Sequence, residues 1–244
     1  MAAIEPFDWR RSDRRLFLAA AIIFPIVVLA GFGRTYYFKP LLGSPPLSSY
    51  LVHLHGLIMS AWVIFFVTQV WLIRTKKAKV HMNLGMIGIA LAILIDVVGF
   101  FTGAAAAKYG SPSTPPGIPR LAFLIVPFTD LIIFSILFAG AIYYRKDLAT
   151  HKRLMLLTVV NFLPPALGRL PIPGLQELGP VVFFGVPTIL ALGLVAFDTW
   201  RNRKLNVVFL FGAIILIASF PLRLIISGTD AWMNFAAWIT SWAA

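Results

Sequence analysis

Residues 82–105 read Met-Asn-Leu-Gly-Met-Ile-Gly-Ile-Ala-Leu-Ala-Ile-Leu-Ile-Asp-Val-Val-Gly-Phe-Phe-Thr-Gly-Ala-Ala, and this run decides the fold. It exceeds the roughly 20 apolar residues that a helix needs to cross the hydrocarbon of a bilayer, and it carries a single charge, Asp96. Working outward, six further stretches are of the same kind: Leu16–Gly33, Ser49–Ile73, Ile118–Tyr144, His151–Leu170, Leu178–Trp200 and Leu205–Ser227. The pattern predicts an all-α, polytopic transmembrane bundle of about seven helices within residues 1–229. A Trp-rich tail, residues 230–244, follows with Trp232, Trp238 and Trp242. Trp is favoured at headgroup level, so the tail is predicted to be an interfacial helix.

Composition agrees. The 244 residues are 59% hydrophobic and 12% charged, with a mean hydropathy of +0.88. Soluble domains carry about 25% charged residues, so most of this surface is not meant for water. Cysteine is absent, which excludes a disulfide framework, a thiolate metal site and a cysteine nucleophile. A net charge of +12 would suggest nucleic acid for a soluble protein. Here the charges lie in short loops, where they set orientation, so membrane lipids are the expected partner and nucleic acid is not.

The basic residues divide unevenly. Arg10, Arg11, Arg14, Arg15, Arg74, Lys76, Lys77, Lys79, Arg145, Lys146, Lys152, Arg153, Arg201, Arg203 and Lys204 fall on one side. Arg34, Lys39, Lys108, Arg120, Arg169 and Arg223 fall on the other. Positive charge stays inside, so the N-terminus is predicted to be cytoplasmic and the C-terminus external, in a bacterial cytoplasmic (inner) membrane. The Arg14-Arg15 pair resembles a twin-arginine signal, but no small-residue cleavage site follows and the segment reads as an anchor.

Ionisable groups are costly in lipid, so each one inside a predicted span marks a candidate site. His53 and His55 lie about 6–9 Å below the outer end of their helix, Asp96 about 10–14 Å, Asn161 about 12–14 Å and Asp130 about 18 Å. Arg169 and Arg223 sit near outer helix ends. His53, His55 and Asp96 are candidate metal ligands, although two histidines two residues apart point about 200° from each other on a helix. His55 shares a stripe with Met59, Trp62 and Gln69. Asp96 shares one with Gly85, Gly88, Ala92, Gly99 and Gly103, a small-residue face suited to close helix packing. Asp96 is therefore expected to face another helix. Pairing of an intramembrane Asp with an Arg such as Arg223 is the structural alternative to a functional role. His81 and His151, at the starts of two helices, form a second candidate pair, and histidines on two facing helices can ligate a haem axially.

Several chemistries are disfavoured. No Lys lies inside Leu205–Ser227, which argues against a retinal Schiff base. No His-Glu-x-x-His, Gly-x-Ser-x-Gly or Walker sequence is present.

Three phrases occur together: His53-Leu54-His55-Gly56, His81-Met82-Asn83-Leu84-Gly85 and His151-Lys152-Arg153-Leu154-Met155. With Gln69 they resemble a family of uncharacterised bacterial membrane proteins, a domain of unknown function marked by His-Arg-x-Leu-Gly and His-x-Arg-x-Met motifs. The chain departs at Met82, where the family usually carries Arg. The resemblance covers roughly Ser49 to Arg169, and its layout is similar to transmembrane b-type cytochromes. It implies an architecture and at most one haem.

Two readings follow. In the first, the chain binds haem or a transition metal in electron transfer or oxidase maturation. In the second it is a non-enzymatic transporter, receptor or accessory subunit of a larger membrane complex. An intramembrane metal-dependent hydrolase ranks last, because three ligands around an open position are hard to assemble here.

Overall fold

The computed structural model describes residues 9–42, 49–112, 114, 115 and 117–242, and these residues form helices with no strand among them. Helix α1 is Trp9–Phe32 and runs on as a π-helical turn, Gly33–Tyr37. Helices α2 (Tyr50–Arg74) and α3 (Ala78–Tyr109) form a tight hairpin; α4 (Arg120–Phe123) and α5 (Ile125–Tyr143) make one nearly continuous rod. Then come α6 (Leu148–Asn161), the single turn α7 (Pro164–Leu167), α8 (Pro180–Asn202), α9 (Val207–Ile226) and α10 (Asp230–Ser241).

Local chemistry sets the boundaries. The side chains of Ser49, Asp147, Asn206 and Thr229 accept backbone N–H bonds at the starts of α2, α6, α9 and α10. Pro180 begins α8, where its missing N–H costs nothing. Gly110 ends α3 at φ 95°, a conformation that side chains resist.

Among the described residues six helices are long and apolar enough to cross a membrane: 15–37, 50–74, 78–109, 120–143, 180–202 and 207–226. Their outward faces carry Ile22, Ile26, Met86, Ile93, Ile189, Leu192, Phe211 and Ile225, all exposed. So much apolar surface suits lipid and not water. This is the architecture of a multi-pass membrane protein.

The remaining predicted span, His151–Leu170, takes a different form. It starts earlier, at Leu148, and breaks after Asn161 before the short α7. The cause is local: Pro164 and Pro165 have no N–H, so neither can donate to the carbonyls one turn back. This broken element is wrapped by α1, α5, α8 and α9. Thr158 and Leu157 are fully buried, as is Ala166 beyond the break. Gly31 of α1 lies directly on the Ala166 backbone, where a Cβ would clash with the carbonyl oxygen.

Three sequence expectations need correction. Helix α1 starts before Leu16 and ends in a π turn, because Tyr36 packs over Gly56 and Tyr37 bonds the Ser60 hydroxyl at 2.8 Å, both on α2. Helix α3 is longer at both ends than Met82–Ala105. The Trp-rich tail packs on the bundle: α10 docks on α3 and α4, buries Trp232 and donates its indole N–H to the Leu121 carbonyl at 2.9 Å. Ala243 and Ala244 of that tail lie outside the described residues, as do Ser113 and Pro116 of the loop before α4. Finally, Arg153 and Arg201 are not loop cations. They are 7% and 4% exposed, because helix ends cover them.

Candidate functional site

The polar residues gather in two places. The first is where the starts of α3, α6 and α9 meet the ends of α2, α5 and α8, called here the basic end. The short α2–α3 and α5–α6 connections bring His81 and His151, seventy positions apart in sequence, to ring centres 6.3 Å apart with planes at 82°. His151 Nδ1 lies 2.8 Å from the Ala141 carbonyl. A carbonyl can only accept, so Nδ1 donates and Nε2 is left for another partner. Gln69 of α2 donates to the His81 carbonyl at 3.3 Å, so the stripe predicted on α2 ends at this site. The buried atoms His81 Nδ1 and Gln69 Oε1 have no hydrogen-bond partner among the described residues.

Beside the histidines lies a network that sequence reasoning missed. Arg153 Nη2 meets Asp198 Oδ1 at 2.6 Å, joining α6 to α8. Asn202 donates to the same carboxylate oxygen at 2.9 Å. Asp147 Oδ2 accepts from the Thr150 hydroxyl at 2.6 Å, and Asn206 of α9 donates to that hydroxyl oxygen at 2.9 Å. A signal existed. The chain has only nine acidic residues, and Asp198 stands inside an apolar stretch where a carboxylate is expensive.

The second place is the interior beside the α6–α7 break. Arg223 Nη1 bonds Asp130 Oδ1 at 2.6 Å, and the two side chains are 0% and 7% exposed. The Ser219 hydroxyl accepts from Arg223 Nη2 at 3.2 Å, and the guanidinium lies 5.3 and 5.7 Å from the Phe220 and Phe184 rings. Asn161, wholly buried, donates to the Asp130 backbone carbonyl at 2.9 Å. Its Oδ1 has no partner among the described residues. Its backbone carbonyl faces Pro164 and Pro165 at the positions where helix donors would stand. Asp130 is thus the intramembrane carboxylate that pairs with Arg223.

The candidate metal ligands do not converge. His53 is exposed beside Tyr36, with ring centres 6.2 Å apart. His55 is partly buried and within electrostatic reach of Arg169. The Arg169 guanidinium donates to the Pro165 carbonyl at 2.6 Å and lies over the Phe32 ring. Asp96 faces α5, as its glycine stripe implied, and accepts from the Ser135 hydroxyl at 2.6 Å. Gly88 of the stripe packs on Phe65 of α2, Gly99 on Leu131 of α5. Among the described residues no three His, Asp or Glu side chains lie close enough together to hold a metal ion.

Fold and site together define a multi-pass α-helical membrane protein with paired histidines at one end and a buried ion pair in its interior. No protein-family model, curated protein or solved structure matches the chain.

Proposed function

We propose that this chain is a multi-pass protein of the bacterial cytoplasmic membrane, with its basic end and N-terminus inside, that carries one redox-active metal centre on His81 and His151. The observation behind this reading is the meeting of the two rings at 6.3 Å. Two imidazoles brought this close from different helices would be the side chains that hold such a group. Only two protein ligands are at hand, which suits a b-type haem, whose macrocycle brings the other donors. The orphaned His81 Nδ1 and the His151 ring, already held through Nδ1, fit this role. When bound, the group would supply one-electron chemistry, in electron transfer or oxidase maturation. The chain's own residues do the positioning: the Ala141 carbonyl orients His151, Gln69 ties His81 to α2, and Arg153–Asp198 holds the start of α6 against α8. The resemblance to the motif-bearing membrane family and to b-type cytochromes supports the same assignment.

A reduced-minus-oxidised visible spectrum of detergent-purified protein, with metal analysis of the same sample, is the test. A b-type band lost in His81→Ala and in His151→Ala supports the assignment. A colourless, metal-free and well-folded protein would sink it. The second reading, a transporter, receptor or accessory subunit, would then lead, favoured by the break at Asn161. Interrupted helices near mid-membrane commonly flank transported solutes.

A further inference from the structure

Asp96 stands in the middle of α3, about 27 Å from the start of the helix and about 20 Å from its end at 1.5 Å per residue. The buried carboxylates Asp130 and Asp198 each hold a cation, Arg223 and Arg153 respectively. Asp96 holds none. The Ser135 hydroxyl donates to its Oδ2 at 2.6 Å, and Oδ1 has no hydrogen-bond partner among the described residues. A carboxylate has room for about four hydrogen bonds, and a hydroxyl brings no countercharge.

The position is lateral. Asp96 is only partly buried, and it lies on the seam where α3 packs against α5. The flanks of that seam face outward: Ile93 and Val97 on α3, Ile132 and Ile136 on α5, all exposed. One turn further along, Gly99 and Gly103 leave a narrow apolar cleft against Leu124, Pro127 and Leu131. Oδ1 is turned inward, and a half-turn about the Cβ–Cγ bond brings either oxygen to the seam.

The chain does not complete this site itself. Arg223 stands at a comparable depth, about 24 Å into α9, but it is bound to Asp130. A second copy related by a two-fold axis would present the same seam, with a carboxylate and no cation. Charged groups inside a bilayer are costly and pair with one another, so the complement of this seam is a cation at the same depth. A lipid headgroup stays at the surface of the hydrocarbon, whereas a spanning helix carries side chains to its middle.

We infer that the α3–α5 seam is a docking surface for a transmembrane helix of another protein, one with a Lys or Arg near mid-bilayer. The cation sits on Asp96, and the apolar side chains around it pack on Ile93, Val97, Ile132 and Ile136. The docking needs no metal at His81 and His151.

The chain has no cysteine, so Ser241→Cys takes a donor dye at a single place. Energy transfer to a labelled synthetic helix of about 20 leucines, both in phosphatidylcholine vesicles, tests the seam. A helix with one Lys at its centre should associate with the full chain. The same helix with Gln at the centre, or with Lys at one end, should stay at the level of polyleucine. Asp96→Asn keeps the shape and removes the charge, and should weaken association of the Lys helix about tenfold, as other polar contacts between membrane helices do. Asp96→Glu should retain it. Equal association with the parent and with Asp96→Asn would overturn the inference, as would none with the parent. So would equal association of the Lys and Gln helices, which would mark a neutral hydrogen-bonding site. A loss in Asp96→Glu as great as in Asp96→Asn would show that shape governs and not charge, and would overturn it too. Energy transfer between two labelled copies of the chain, abolished by Asp96→Asn, would assign the seam to a second copy and overturn it as well.

Discussion

The Asp130–Arg223 and Arg153–Asp198 pairs are both 2.6 Å long, and both bind one of the last two long helices to the α5–α6 hairpin. Their surroundings differ. Arg223 is sealed among Phe184, Phe220 and Ser219, while the side chains of Arg153 and Asp198 are 9% and 12% exposed and share their contacts with Asn202 at a helix end. A sealed charge that loses its partner has no solvent to turn to, whereas one at the basic end does. Equal geometry therefore does not mean equal energetic weight.

The largest effect should come from breaking the sealed pair. Asp130→Ala leaves Arg223 unpaired and should cost about 3–5 kcal/mol, read as a lowered midpoint of thermal unfolding in detergent. Asp130→Leu combined with Arg223→Met should recover most of that loss, since a well-packed apolar pair is often as stable as a buried ionic one. Asp198→Ala should cost less, about 1–3 kcal/mol, because the guanidinium it abandons can reach water or headgroups. Equal losses at the two sites would show that depth does not govern these pairs.

A smaller effect tests the edge of the same network. Asp147 caps α6 and is exposed, so Asp147→Ala should cost roughly 1 kcal/mol, as other N-caps do. The Thr150 hydroxyl, with backbone N–H groups from Thr150 and Ala149 and the charge of Arg153 behind it, holds the Asp147 carboxyl below the usual carboxylate range, while slight burial opposes this. A depressed folded-state value means that the contribution is complete above the unfolded value near 3.9 and fades as pH falls through the folded one. Unfolding midpoints of parent and variant should therefore differ at neutral pH and converge in strong acid. A gap that persists below about pH 3 would assign the effect to helix propensity instead of the carboxylate.

The two pairs were unequally legible in the sequence. Asp130 stands deep in an apolar run, where cost alone marks it; Arg223 lies near the outer end of its run, and the sequence offered it an intramembrane Asp as partner without saying which one. Arg153 belongs to a cluster with Arg145, Lys146 and Lys152, and a cluster of that kind reads as a loop that sets orientation. Its burial depends on how α6 and α8 cross, which periodicity in either helix does not encode. The small-residue stripe of α3 did reveal that Asp96 faces a neighbour, because glycines leave a gap that something must fill. The His81–His151 contact was legible as a pair of helix starts but not as a distance, which the α5–α6 turn supplies. The π turn at Gly33–Tyr37 had no warning in sequence, since it answers to Gly56 and Ser60 on another helix.

The break between α6 and α7 also bears on how the chain is made. The stretch from Leu148 to Leu167 contains His151, Lys152, Arg153, Asn161 and two prolines, so its transfer into lipid on its own would gain little or nothing. Helices α1, α5, α8 and α9 provide the protein surface that accepts it. Two of these, α8 and α9, are translated after it and bring Asp198 to Arg153 and Asn206 to Thr150. The segment with the least affinity for the membrane thus depends on ribosomal product that has not yet emerged. Its final burial therefore waits for the last third of the protein.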